Sequence, residues 1–140
     1  MTRYALAVDV GGTKMEAALV AEDGRLLPGS RSRQPTGRDA TFESLDAAVV
    51  AIVEHALAAL PADAELVGAG IGSAGPVDRS LGAIMPVNMP LARGFVLEEA
   101  VRAAASTVLG GDVRTVLGHD GGALALAESC LLYTSPSPRD

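Results

Sequence analysis

The sequence has no tryptophan, a single cysteine, and only 2 tyrosines and 2 phenylalanines in 140 residues. The lone Cys130 excludes an internal disulfide framework and any zinc site built from cysteines of this chain. Basic residues are the minority, 11 Lys and Arg against 17 Asp and Glu, for a net charge of −6. Only Arg31, Arg33 and Arg38 cluster, and no aromatic residue stands among them to stack on a base, which argues against a nucleic-acid partner. No apolar run reaches the roughly 20 residues that span a bilayer. The N-terminus enters a strand pattern within a few residues, without the charged and apolar regions of a leader. These absences lead to the expectation of a cytoplasmic protein with no membrane contact.

Nearly half of the residues, 49%, are apolar, and glycine and alanine are abundant. That composition suits an Ala/Val-rich α/β core. A chain of this length can bury roughly two thirds of its unfolded surface. Residues 4–10 and 15–20 read as buried strands joined by a tight turn. Residues 25–33 read as a third antiparallel strand, weakened by Pro28 and Gly29 and so placed at an edge or bulged. Thr41 reads as an N-cap, followed by Leu45, Val49, Ile52, Ala56 and Leu60 at helical spacing, with Pro61 as the stop. His55 falls on that helix as a surface residue. Residues 66–71 form a short strand. Leu97, Val101, Ala105 and Val108 mark a second helix, stopped by Gly110-Gly111. Residues 113–117 are the last strand, and 123–128 open a further helix.

The centre of interest is Asp9-Val-Gly-Gly-Thr-Lys14. Gly11-Gly12 can supply the positive φ angles of a tight hairpin. A buried strand pair needs no acid, hydroxyl and amine at its turn, yet Asp9, Thr13 and Lys14 are all there. Two glycines let backbone N–H groups converge on an anion, and a carboxylate can hold the waters of a magnesium ion. From the residues alone, a solvent-facing hairpin and a phosphate cradle fit equally.

Gly70, Gly72 and Gly75 have the G-x-G-x-x-G spacing, but Pro76-Val-Asp78 continues as extended chain instead of opening the helix that a dinucleotide site requires. The glycines read instead as serving a tight path from strand to hairpin. Asn88 lies between two prolines that could aim its amide at a hydroxylated ligand, or it could cap its own turn. Asp120 follows a strand and precedes a helix. On spacing alone, Asp120-Gly121 reads as a turn.

These segments together resemble the ROK family, which joins sugar kinases and sugar-responsive repressors. The first phosphate motif of the sugar-kinase, hexokinase and actin superfamily is similar to residues 9–14. The family's GIGxxGPVD segment is similar to residues 70–78, and its strand-end aspartate aligns with Asp120. The resemblance implies a ribonuclease H-like α/β domain with a mixed sheet flanked by helices. It implies ATP-dependent phosphorylation of a hexose, glucose first, at the primary hydroxyl. Gly11, Gly12, Thr13 and Lys14 would hold the ATP phosphates, and Asp9 would hold Mg2+ through water. Asn88, His119 and Asp120 would contact the sugar, with Asp120 as the base. Glu128 is retained after it. Ala92 and His119 stand where the family has Trp and Asn. The family's zinc site, second phosphate loop and E-x-G-H motif lie outside these residues, so the chain is expected to be an N-terminal half, inactive alone, of a protein that is homo-oligomeric at full length. The alternatives are a non-catalytic fragment and a ROK regulator. Such regulators carry a DNA-binding segment ahead of the phosphate motif, which here starts at Asp9.

From Cys130 the pattern breaks into CLLYTSPSPRD. The string is similar to one reading frame of a transposase adapter used in sequencing libraries. Residues 1–129 are therefore expected to be the domain, and 130–140 a disordered tail that packs against nothing.

Overall fold

The computed structural model describes residues 2–119 and 122–134. Among these residues seven strands and three α-helices follow in the order β1 (Arg3–Val10), β2 (Lys14–Ala21), β3 (Ser32–Pro35), α1 (Phe42–Ala58), β4 (Glu65–Ser73), β5 (Val77–Asp78), β6 (Ala83–Ile84), α2 (Leu97–Leu109), β7 (Thr115–His119) and α3 (Ala123–Thr134), with one 3-10 turn, Pro90–Ala92, ahead of α2. The main sheet has 5 strands in the order β3-β2-β1-β4-β7. The β1–β2 and β2–β3 pairs are antiparallel, whereas β1–β4 and β4–β7 are parallel. This is the mixed sheet flanked by helices that the resemblance implies. A short β5–β6 hairpin continues the chain after β4, as the extended Pro76-Val-Asp78 reading requires.

Alternation along the strands separates two cores. Tyr4, Leu6, Val8 and Val10 of β1 pack with Met15 and Leu19 of β2 against Leu45, Val49, Ile52 and Val53 of α1 and Leu97 and Val101 of α2. Thr41 caps α1 reciprocally. Its hydroxyl accepts from Ser44 N at 3.1 Å, and Ser44 Oγ accepts from Thr41 N at 2.9 Å, which satisfies donors that a helix start leaves open. Gly110, at φ +75°, closes α2 in the left-handed conformation expected of it. His55 lies on the surface of α1 and its Nε2 donates to the Gly29 carbonyl at 3.1 Å.

The opposite face is built from small residues. Gly68, Gly70 and Gly72 of β4 lie beneath α3, and a methyl group on Gly70 would overlap the Ala127 amide and the Leu126 backbone. On Gly72 it would stand 3.0 Å from Ala123 N, and on Gly68 3.2 Å from Cys130 Sγ. The purpose of Gly70 and Gly72 is thus close approach of a helix backbone to the strand, not the path into the hairpin that the sequence suggests.

Two boundaries differ from expectation. The third strand begins at Ser32, not Arg25, with an isolated bridge from Val20 to Leu26 ahead of it. Gly29, at φ +83°, turns the chain out, and buried Ser30 takes the place of the ladder: its Oγ accepts from Leu19 N at 3.0 Å and donates to Leu27 O at 2.7 Å. The second difference is at the end of the chain. Helix α3 passes Ser129 and runs to Thr134, with Cys130 and Leu131 buried beside Ala5, Ala7, Val20, Ala123 and Ala127. These two residues pack, against the expectation for the segment from Cys130, because the bare strand face at Gly68 leaves room for them. Residues 135–140 lie outside the described residues.

Candidate functional site

Strands β1, β4 and β7 run in parallel and end at one edge of the sheet, with Val10 beside Ser73 and Ser73 beside His119. Strand spacing of about 4.8 Å puts the chain leaving β1 roughly 10 Å from the chain leaving β7. The Asp9–Lys14 turn leaves the first of these ends. The segment holding Asp120 leaves the last, but Asp120 itself lies outside the described residues.

The turn is closed by Gly11 N donating to Lys14 O at 2.8 Å. Neither Gly11 nor Gly12 takes a positive φ, which corrects the reason for the glycine pair. Gly12 lies against the end of the Asn88 side chain: a methyl group there would overlap the Asn88 amide, which would have to swing away. The residue expected to meet a sugar therefore lies directly on the turn expected to meet phosphate. The N–H groups of Gly12 and Thr13 form no hydrogen bond with another described residue. Thr36, which sequence reasoning missed, fixes the turn from below. Its Oγ1 donates to Gly11 O at 2.8 Å and its N–H to Thr13 O at 2.9 Å. A threonine after an edge strand gives no signal of this role.

A groove of about 320 Å³ separates the turn from the loop after β6, lined by Gly11, Gly12, Ser73, Gly75, Pro76 and Asn88 among others. Ser73 is nearly fully buried there and was also missed, since a serine at a strand end carries no distinguishing pattern. Ala92 is not on this groove. It is fully buried in the main core, where a side chain as large as Trp would displace its neighbours. The backbone of His119 sits at the strand edge paired with Ser73.

Asp9 and Lys14 face elsewhere. Asp9 pairs in register with Glu16 and Gly72, and lines a separate groove of about 290 Å³ with Glu16, Ala7, Ala18, Ala123 and Leu124. Those apolar walls partly bury its carboxyl and push its pKa up, and the neighbouring Glu16 charge adds to this while Lys14 opposes it. At Glu16 burial also pushes upward, but the hydrogen bond from Arg31 and the charges of Arg31, Lys14 and Arg33 outweigh it, and the pKa falls below its ordinary value. The distances from Glu16 Oε1 are 3.1 Å to Arg31, 3.3 Å to Arg33 and 3.8 Å to Lys14. Lys14 thus directs its ammonium along β2 toward Glu16. Among the described residues no three acidic, histidine or cysteine side chains converge to hold a metal directly. An acid crowded by a like charge does fit the outer-sphere role, because a hydrated cation would relieve it.

The ROK family profile matches residues 5–133. The chain belongs to the ROK family. Solved ROK proteins share its fold. It is 26% identical to a ROK hexokinase from Thermus thermophilus, with a TM-score of 0.61 over 83% of this chain and 35% of that one. It is 28% identical to a ROK glucokinase from Streptomyces griseus solved with glucose and AMPPNP, with a TM-score of 0.61 over 83% of this chain and 33% of that one. A ROK transcriptional regulator, homologous to the Escherichia coli MLC protein, is 16% identical with a TM-score of 0.59 over 84% of this chain and 28% of that one, a likeness of fold alone. The chain spans about a third of the length of the two kinases. No curated protein matches it. Among the described residues no helix of this ROK chain is long and apolar enough to cross a membrane.

Proposed function

We propose that this ROK chain contributes the donor-phosphate and base-bearing wall of a sugar kinase that transfers the γ-phosphoryl group of ATP to the primary hydroxyl of a hexose, glucose first. The observation that carries this reading is the contact of Asn88 with Gly12 at the sheet edge where β1, β4 and β7 end. One amide side chain and one phosphate-type turn share a groove there. The likeness to a glucokinase solved with glucose and AMPPNP supports the substrate pair.

In this reading the Gly12 and Thr13 N–H groups donate to phosphate oxygens of the donor, and Thr36 keeps their geometry fixed before the donor arrives. Preorganised donors aimed at developing charge lower the barrier without reorganising during the reaction. Asn88 orients the sugar beside the turn. Asp9 would be the residue to hold a magnesium ion through water, and that ion, when bound, would supply neutralisation of phosphate charge. Asp120 takes the proton of the attacking hydroxyl, an act that requires approach to about 2.6–3.2 Å or through one water. In the chain it follows directly after β7, the last of the strands that end at this edge.

Phosphoryl transfer depends mainly on positioning, which can contribute on the order of 7–11 kcal/mol. One wall of a cleft cannot position both substrates, so this chain alone is expected to leave glucose unphosphorylated. The test uses a protein of the relatives' full length carrying this sequence. Asp120→Asn is expected to lower kcat about 100-fold or more while KM for glucose changes little. Full activity of that variant, or glucose phosphorylation by the present chain, would overturn the reading.

A further inference from the structure

The basic cluster of the sequence divides in two. Arg31 and Arg33 are bound to Glu16. Arg38 is exposed and makes no ion pair or hydrogen bond with another described residue. It lies instead on a cavity of about 370 Å³ shared with Gly12, Thr13, Gly37, Asn88 and Pro90. Its place there is fixed by the backbone. Thr36 is tied to the turn through Thr13 O and Gly11 O. Gly37 then adopts φ +147°, which favours glycine, and Ala40 N donates to Gly37 O at 3.0 Å. Arg38 is thus carried at the corner of a short turn whose two ends are anchored, next to the amides of Gly12 and Thr13.

A guanidinium without an acid partner among the described residues, sharing a cavity with two N–H groups that have no partner among them, is a set of donors for an oxyanion. The guanidinium fork can take two oxygens of one phosphate at once, with charge-assisted hydrogen bonds stronger than neutral ones. We propose that Arg38 is a donor-binding residue that clamps the outer phosphates of the phosphoryl donor against the Gly12-Thr13 turn. The proposal rests on the reading of that turn as the donor site and adds a residue to it from a different loop. The guanidinium fork and the Gly12 and Thr13 amides that line the same cavity are all donors, so the part of the phosphoryl donor they match is its phosphate chain.

The test is calorimetric titration of this chain with sodium tripolyphosphate, which has the phosphate chain and no nucleoside. The unaltered chain is expected to bind. Arg38→Ala should weaken binding about tenfold, the worth of one charged hydrogen-bonded contact, and Arg38→Lys should restore part of it. Arg31→Ala removes the same charge from the other groove and should change affinity by less than about twofold. Binding unaffected by Arg38→Ala, or weakened equally by Arg31→Ala, overturns the role of Arg38 while the turn keeps its own. No binding by the unaltered chain overturns both.

Discussion

On the face covered by α1 and α2, β1 presents Leu6, Val8 and Val10, and the helices answer with Leu45, Ile52 and Leu97. On the face covered by α3, β4 presents Gly68, Gly70 and Gly72, and the helix answers with its own backbone. One face gains its stability from large side chains that fill volume. The other gains it from the absence of side chains, which lets backbone approach backbone. The same strand can therefore carry a glycine pattern that resembles a nucleotide fingerprint and use it only for packing. The glycine that meets candidate chemistry is Gly12, at the edge between the two faces.

The sharpest way to break this comparison is to remove volume from one face and add it to the other. Ile52→Ala deletes a fully buried side chain of α1 and is expected to cost about 3–4 kcal/mol through lost transfer energy and the cavity left behind. Gly70→Ala adds one carbon where the Ala127 and Leu126 backbone stands, and is expected to cost about 2–3 kcal/mol, because backbone cannot yield as a rotamer can. Both are read from urea midpoints. Hydrogen exchange separates them further: Gly70→Ala should release the amides of α3 while those of α1 stay protected. Equal loosening of both helices would deny that the two faces pack independently.

A smaller effect distinguishes the two acids that face each other across β1 and β2. The folded pKa of Asp9 is raised above its ordinary 3.8, so its charge opposes folding at neutral pH. Asp9→Asn should therefore stabilise the chain at pH 7, and the gain should vanish as pH falls below that value. The folded pKa of Glu16 is lowered below its ordinary 4.5, so its charge supports folding above that value. Glu16→Gln should cost roughly 0.5–1 kcal/mol at pH 7, and the loss should vanish as pH falls through the lowered pKa. Denaturant melts of both variants at pH 7 and near pH 3 check the opposite signs. An acid kept where its charge opposes folding is what the proposed role of Asp9, holding a hydrated cation, would require, a trade of stability for binding.

The strand and helix order was legible because alternation and helical spacing are local properties. So were the Thr41 cap and the Gly110 stop, each of which depends on a few adjacent residues. The start of β3 was not, because it turns on Ser30 substituting its hydroxyl for a ladder carbonyl, a tertiary fact. The continuation of α3 through Cys130 was hidden by a composition change. It follows from the bare surface of Gly68 and Gly70 on a strand 60 residues earlier in the chain, on the order of what only a folded sheet can bring together. At the candidate site the motif residues Gly12, Thr13 and Asn88 were legible as separate points. Their contact was not, nor were Thr36 and Arg38, because a loop residue that acts through long-range hydrogen bonds leaves no periodic trace.

The central claim is that the ligand edge of this sheet is the Gly12-Thr13 turn with Asn88 and Arg38, and not the glycine run under α3. Nuclear magnetic resonance titration of the 15N-labelled chain with ATP and magnesium tests it most directly. The largest amide shifts are expected at Gly12 and Thr13, with smaller ones at Arg38 and Asn88, and Gly68, Gly70 and Gly72 unmoved. Shifts centred on the β4 glycines and the start of α3, or no shift at the turn at saturating ATP, would contradict it.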